Sequence, residues 1–384
     1  MNLRHAVRFN YGDALASDDR DEFGEILVYG SNGPVGVHKE ANTRGPAILI
    51  GRKGSFGKIT WADHPSFAID TTYFVDETTT ENHLRFVFYA LQSLRLDSVS
   101  KDTGVPGLSR EDAYEQRLAV PPLTEQRIIA AYLDRETGRI DALVERLERL
   151  IALLTEKRQA VISRAVTKGL DPSAPMKDSG IAWLGEVPAH WEERRLYTFA
   201  RFVQGKAHEP FFDPDGDFAC ATARFVSTGG EVNRYSTENL TPAAPGDILM
   251  VMSDLPNGRA LARAYLTKPD DRIAINQRVA GITVVEGSPA FLAFQLDRHP
   301  ELLAYNDGSN QTHLKNSYFT QLVLRFPPVA EQEEIAVFLR DATDEIDRLR
   351  LRAEAVIEIT TERRAALISA AVTGQIPLSE MEAA

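Results

Sequence analysis

The run Gly51-Arg52-Lys53-Gly54-Ser55-Phe56-Gly57-Lys58 is the densest basic patch in residues 1–122. Arg52, Lys53 and Lys58 supply cations, and Ser55 adds a hydroxyl. The three glycines let a backbone come close to a phosphate. No Gly-Lys-Ser/Thr follows, so the run is not a nucleotide-binding P-loop. The alternative is a glycine-rich hairpin with solvated charges. Asn32, within Tyr29-Gly30-Ser31-Asn32-Gly33, suits either a turn or a polar contact. Further along, Asn276, Gln277 and Arg278 follow the apolar run Ile273-Ala274-Ile275. Asn and Gln match the adenine edge with two hydrogen bonds, and Arg matches the guanine edge. The polar stretch Ser309 to Lys315 offers Asn310, Gln311, Thr312 and Lys315 for the same chemistry, with Thr103 to Ser109 in the matching earlier place. Each of these stretches also reads as a plain surface loop. Arg259 and Arg263 suit phosphate contact or solvent equally.

Other chemistries are excluded more firmly. The eight histidines show no metal-ligand spacing such as H-E-x-x-H. The single cysteine, Cys220, rules out an intramolecular disulfide and an all-cysteine metal site. An adenine methyltransferase needs a cofactor-binding glycine motif and an Asn/Asp-Pro-Pro-aromatic motif at the flipped base. Neither is present: Pro121-Pro122 and Pro327-Pro328 are preceded by Val120 and Phe326 and followed by Leu123 and Val329. With no ATP-binding motif either, the chain reads as non-catalytic. No apolar run approaches the length needed to span a bilayer, and Met1 to Asn10 is too polar for a signal peptide. A reducing cytoplasm fits this composition.

The charge weighs against a free-standing nucleic-acid binder. Net charge is −12 over 384 residues. Residues 1–120 hold 13 basic and 17 acidic side chains, and residues 171–326 hold 15 and 19. Any nucleic-acid contact must use focused patches or a partner's positive charge.

A long internal repeat sets the elements that position these residues. Residues 121–170 and 327–376 align without a gap at an offset of 206, with nearly half the positions identical. Pro121/Pro327, Glu125/Glu331, Gln126/Gln332, Ile140/Ile346, Asp141/Asp347 and Ala165-Val166-Thr167/Ala371-Val372-Thr373 are shared. Each copy predicts a long helix of about 60 Å at 1.5 Å per residue. Its start follows the paired prolines, with Thr124 as N-cap of the first copy. Leu133, Ile140, Leu147, Leu154 and Val161 form a row at a period of seven, with Leu143 and Leu150 alongside. Leu339, Ile346, Ala353, Thr360 and Leu367 repeat it, flanked by Ala342, Leu349 and Val356. A sustained seven-residue period is a coiled-coil seam, so the two copies are expected to lie on each other. The alternative is that each helix packs only on its own domain.

A module precedes each helix. The modules share little sequence beyond Leu108–Val120 and Leu314–Phe326, which keep the 206 offset. Short apolar runs (Ala47–Ile50, Phe67–Ile69, Ile248–Val251, Gly281–Val285) read as strands. Leu84–Leu96 and Phe291–Leu303 read as helices, so each module is mixed. Residues 171–179 read as an exposed linker. Trp183 and Trp191 anchor the start of the second module, with His190 beside Trp191. The expected division is 1–122, 123–170, 171–326, 327–376 and a tail at 377–384.

The chain resembles the specificity subunits of type I restriction-modification systems. The resemblance runs through the PP-x-x-EQ helix starts at Pro121 and Pro327, Met176-Lys177-Asp178-Ser179-Gly180-Ile181-Ala182-Trp183-Leu184-Gly185-Glu186-Val187-Pro188, His190-Trp191, Tyr29 to Gly33 and Gly51 to Lys58. It covers nearly the whole sequence. It implies an α+β protein with a pseudo-twofold repeat: two mixed target recognition domains, separated by two long helices in an antiparallel coiled coil. Each domain would read one half of a bipartite double-stranded DNA site, with the helices as a ruler. Two modification subunits using S-adenosylmethionine for adenine methylation, and restriction subunits using ATP and Mg for translocation and cleavage, would be the partners. This chain itself would hold no cofactor and no metal. One departure stands out: the segment at 176–191 has no counterpart before the first module, where Met1 starts near the equivalent of Arg195. The rival reading is a coiled-coil scaffold whose modules bind protein without reading DNA.

Overall fold

The computed structural model describes residues 1–17, 20–21, 23–98, 107–254, 259–306 and 312–383. The first module opens with the short strand β1 (Asn10–Tyr11), the pair β2 (Ile26–Gly30) and β3 (Gly33–His38), then β4 (Ala47–Gly51), β5 (Ile59–Ala62), β6 (Phe67–Ala68) and β7 (Thr72–Asp76). One antiparallel sheet runs β1-β7-β4-β5, and a second runs β3-β2-β6 with β6 parallel to β2. β4 is buried at all five positions, as a central strand of Ala, Ile and Leu should be. The helices α1 (Leu84–Ser93) and α2 (Arg110–Glu115) follow, then α3 (Leu123–Lys168). The helix expected to reach Leu96 stops at Ser93 because Arg95 turns to φ 48°.

Residues 176–178, expected as linker, instead form β8 (Met176–Asp178), paired with β9 (Glu186–Pro188). The second module then runs β10 (Glu192–Arg195), β11 (Ala200–Gln204), β12 (Phe218–Ala221), α4 (Ala223–Ser227), β13 (Tyr235–Ser236), β14 (Ile248–Val251), β15 (Ser253–Asp254), β16 (Ala264–Leu266), β17 (Ile273–Ile275) and β18 (Val279–Val284). It continues with α5 (Pro289–Leu296), α6 (Pro300–Leu303), β19 (Thr312–His313), α7 (Asn316–Gln321) and β20 (Val323–Phe326). The single helix expected over 291–303 is two, broken at Arg298 (φ 57°) just before Pro300. Last come α8 (Val329–Val372) and α9 (Leu378–Ala383).

The two modules share one topology despite their dissimilar sequences. Sheet β11-β18-β14-β16 repeats β1-β7-β4-β5, and β13-β12-β17 repeats β3-β2-β6, including its one parallel pair. Isolated bridges repeat too: Asp13 to Ile69 as Lys206 to Asn276. α2 and α7 differ by the 206 offset at both ends. Met1 donates to Leu118 O and Asn2 bridges Arg117, where β10 pairs Arg194 with Leu324 and Arg195 with Val323. Met1 thus aligns with Arg194.

By contacts the chain forms two compact units, Met1–Leu150 with Arg352–Ala384, and Ile151–Leu351. Each holds one module and half of each long helix. In the first unit, Ile129, Ala130 and Leu133 of α3 share a core with Ile368, Ala371 and Val372 of α8. In the second, Ile335, Ala336 and Leu339 share a core with Ile162, Ala165 and Val166. These are the same residues at the 206 offset with the helices exchanged. In both units the beginning of one helix meets the end of the other, so they pair antiparallel. Arg364 bridges Asp141 at 2.8 Å in the first unit, and Arg158 bridges Asp347 at 3.2 Å in the second. The row of seven is buried or half-buried throughout. Leu143 and Leu150, expected beside it, are each 42% exposed, because a two-helix seam covers only a narrow stripe.

Both long helices start the same way. Gln126 N and Gln332 N donate to the carbonyls of Pro122 and Pro328. The helices therefore begin at Leu123 and Val329, and Thr124 lies inside the first turn rather than at its cap. The Gln side chains are 1% and 0% exposed. Gln126 Nε2 donates to Pro121 O, and its Oε1 accepts from His83 N at the start of α1. Gln332 bonds Pro327 O and Ser288 N, at the start of α5, in the same way. One buried amide thus ties the proline turn to the module's helix, which accounts for Gln in both copies.

The neighbouring glutamates differ. Glu331 accepts from Trp191 Nε1 at 3.1 Å and contacts His190 Nε2 at 2.8 Å. His190 and its neighbour Trp191 thus share the Glu331 carboxylate. Trp191 is buried against Phe291, whereas Trp183 is 47% exposed, with its ring edge on His299. Glu125 meets no equivalent partner among the described residues.

Candidate nucleic-acid interface

The basic run lies at the end of β4, as a turn closed by backbone bonds from Gly51 N to Lys58 O and from Gly57 N to Gly51 O. A Cβ at Gly51 would meet Ser55 O at 2.2 Å, and Gly57 holds φ 76°. The tight turn needs both glycines. Ser55, Lys53 and Lys58 are exposed. Lys58 Nζ donates to Asn32 O at 2.7 Å and Asn32 Oδ1 at 3.0 Å, so the structure joins two sequence candidates 26 residues apart into one patch.

Arg52 is held on both sides. Its N donates to Thr71 O and its O accepts from Leu108 N, both at 2.8 Å. Its guanidinium donates to Asp70 O and lies 5.0 Å from the Tyr11 ring centroid. Arg110 approaches the same ring at 5.1 Å. Tyr11 is 45% exposed, so two cations flank an aromatic face at the surface. Beneath them, Tyr73 meets Tyr11 edge-on at 5.0 Å and donates to Leu108 O. Burial pushes the Tyr73 phenol up to about 12, so it stays a protonated donor.

The second module has the same rim with other side chains. Arg278 O accepts from Met252 N, and Met252 O accepts from Leu314 N, both at 2.8 Å. Met252 therefore stands where Arg52 stands, Arg278 where Thr71 stands, and Leu314 where Leu108 stands. Ser253 pairs with His313 as Lys53 pairs with Gly107. The register of β11 against β18 places Gln204 in the position of Tyr11, and the 206 offset places Asn316 in the position of Arg110. Where Arg110 stacks on Tyr11, Asn316 Nδ2 bonds Gln204 Oε1 at 3.3 Å.

The remaining candidates distribute around this rim. Asn276 is buried, and its Oδ1 accepts from Gln277 N, so it builds the turn. Gln277 is exposed and donates to Glu209. Arg278 and Lys315 are exposed, and Lys315 is the residue before α7, with no side-chain bond to its first turn. Thr312 lies in β19 against Asp254. Asn310, Gln311 and residues 103–106 lie outside the described residues. Arg263 bridges Asp297 at 3.1 Å, so it serves the fold.

Tyr11, Arg110, Gln204 and Asn316 were not found from sequence. Two of them sit on strands, one of which is only two residues long. Their pairing needs a 193 offset at one partner and 206 at the other. Among the described residues no cluster of His, Cys, Asp and Glu can hold a metal, and no helix is long and apolar enough to cross a membrane.

Residues 8–153 match the family model described as Type I restriction modification DNA specificity domain. The chain is 30% identical over 123 residues to the Type I restriction enzyme EcoBI specificity subunit of Escherichia coli, covering 31% of this chain and 26% of that one. It is 23% identical over 287 residues to the Type I restriction enzyme MjaVIII specificity subunit of Methanocaldococcus jannaschii, covering 71% and 66%. The matches thus span about a quarter and about two thirds of those relatives. A solved chain from work on complex assembly and conformational transition of the type I R-M system shares the fold at TM-score 0.64 and 12% identity, over 97% of this chain and 96% of that one. Residues 8–153 are thus similar to the type I restriction modification DNA specificity domain, and the named relatives are type I restriction enzyme specificity subunits.

Proposed function

We propose that this chain is the non-catalytic DNA-reading subunit of a type I restriction-modification complex. Each module reads one half of a bipartite double-stranded site, and the paired helices set the gap between halves. The observation that carries this reading is one module fold built twice, with different side chains on the same rim. Such a duplication suits two unlike half-sites. Methylation of adenine with S-adenosylmethionine, and ATP- and Mg-dependent translocation and cleavage, belong to modification and restriction subunits. Two modification subunits bind the repeated helices, where Leu143, Leu150, Leu349 and Val356 leave apolar surface open. The complex works in the cytoplasm.

The acidic net charge of −12 favours a second reading, a scaffold that binds protein alone. One experiment separates the two. The chain, co-purified with its modification subunits, is challenged with a random-sequence duplex library at two salt concentrations. Enrichment of a split sequence, weakening steeply with salt, is the expected outcome. A complex that enriches no sequence leaves only the scaffold.

A further inference from the structure

The equivalence of the two rims identifies where they differ chemically. The geometry points to the Tyr11–Arg110 pair and the Gln204–Asn316 pair as the specificity-setting positions of the two modules: the first takes an acceptor-only, guanine-like base edge, and the second takes a mixed donor and acceptor, adenine-like edge. This rests on the DNA-reading function above.

In the first pair Arg110, like neighbouring Arg52, presents only donors, and the Tyr11 hydroxyl can donate or accept. Arg52 and Arg110 flank Tyr11 at 5.0 and 5.1 Å. Stacking on a ring fixes the guanidinium plane, and Arg52, which spends one N–H on Asp70 O, keeps others to donate. Two acceptors side by side, as guanine offers in the major groove, satisfy such an edge. Exposed Lys53 beside them adds attraction for the backbone.

The second pair presents something else. Gln204 and Asn316 are both exposed and share one hydrogen bond. Whichever way the amides turn, that bond uses one carbonyl oxygen and one N–H. An oxygen and an NH2 group remain for a ligand. Adenine offers the complementary acceptor and donor, N7 and the N6 amine. The cation of the first rim is gone here, because Met252 replaces Arg52. Exposed Lys206 and Lys315 lie close to the pair in sequence, and exposed Arg278 lies two residues before Ala280, which pairs with Gln204; they supply backbone attraction without changing the base-facing chemistry.

The test uses the full chain with its modification subunits and the random duplex library. Wild type first defines the split motif. Gln204→Ala with Asn316→Ala should then lose about tenfold to a hundredfold discrimination at an adenine of one half-site, with the other half unchanged. Gln204→Glu, which turns the free NH2 donor into an acceptor, should move the preference toward cytosine. Tyr11→Ala with Arg110→Ala should relax a guanine in the opposite half only. All four positions are at the surface or half-exposed, and an unchanged thermal unfolding temperature checks each fold. If wild type enriches no split motif, the DNA-reading function fails and this assignment with it. If wild type enriches one but these variants keep every base preference, or weaken all sequences equally, the assignment alone is overturned.

Discussion

Gln126 and Gln332 stand at the hinge between module and helix, and each satisfies a proline carbonyl and a backbone N–H, both bonds being buried at Gln332. Truncating Gln332 to Ala orphans both groups. The cost should be about 2 to 4 kcal/mol, from two buried unsatisfied polar atoms. Urea unfolding of the variant checks this, and a loss under about 1 kcal/mol would mean water enters the gap. His299 offers a pH effect. Burial lowers its pKa to about 4, against about 6.5 when unfolded. Above pH 6.5 both states are neutral and stability is unaffected. As pH falls toward 4, the unfolded chain takes a proton that the folded one refuses, so stability drops through that window. The second unit should therefore unfold at lower urea at pH 4.5 than at pH 7, and His299→Gln should shrink the difference. An equal pH response in wild type and variant counts against a neutral buried imidazole.

At the scale of elements, the helix pairing is written twice. Asp141–Arg364 and Arg158–Asp347 are the same ion pair at the 206 offset. Both are partly exposed, so each should be worth only about 0.5 to 1 kcal/mol. Asp347→Arg alone should destabilise by setting two cations together, and adding Arg158→Asp should restore most of the loss. A double-mutant cycle with no coupling would show that the pair contributes register at most. These elements were also the legible part of the sequence. A repeat of 50 residues carries its own alignment, and a period of seven held over five successive positions names a seam. The helix start was less legible, since Thr124 looks like a cap, whereas the helix begins at Leu123 and the buried Gln126 ties the proline turn to the start of α1. The common module fold was not legible. Its strands are two to six residues long, and burial accepts any apolar side chain at each place, so sequence drifts while the sheet order stays. The rim pairs were hidden for the same reason: a short edge strand has no pattern to recognise.

For the whole molecule, the proposed ruler makes a quantitative demand. Seven residues inserted at equivalent points of α3 and α8 keep the seam in phase and add about 10 Å of helix. The selected motif should keep both halves and widen its gap. A gap that stays the same, with both halves still recognised, would remove the ruler from the function. Charge acts at this scale too. With a net of −12, affinity for bare duplex should be poor without the partner subunits.

The first unit is assembled from the two ends of the chain, residues 1–150 and 352–384, while the second is one continuous stretch. During synthesis residues 151–351 are all made before residues 352–384, so the second unit can close ahead of the first. The first must wait, with Ile129, Ala130 and Leu133 uncovered until Ile368, Ala371 and Val372 arrive. A chain stopped at Leu351 should keep a protease-resistant second unit and lose the first to digestion, and survival of both would show that the N-terminal module closes without its late partner.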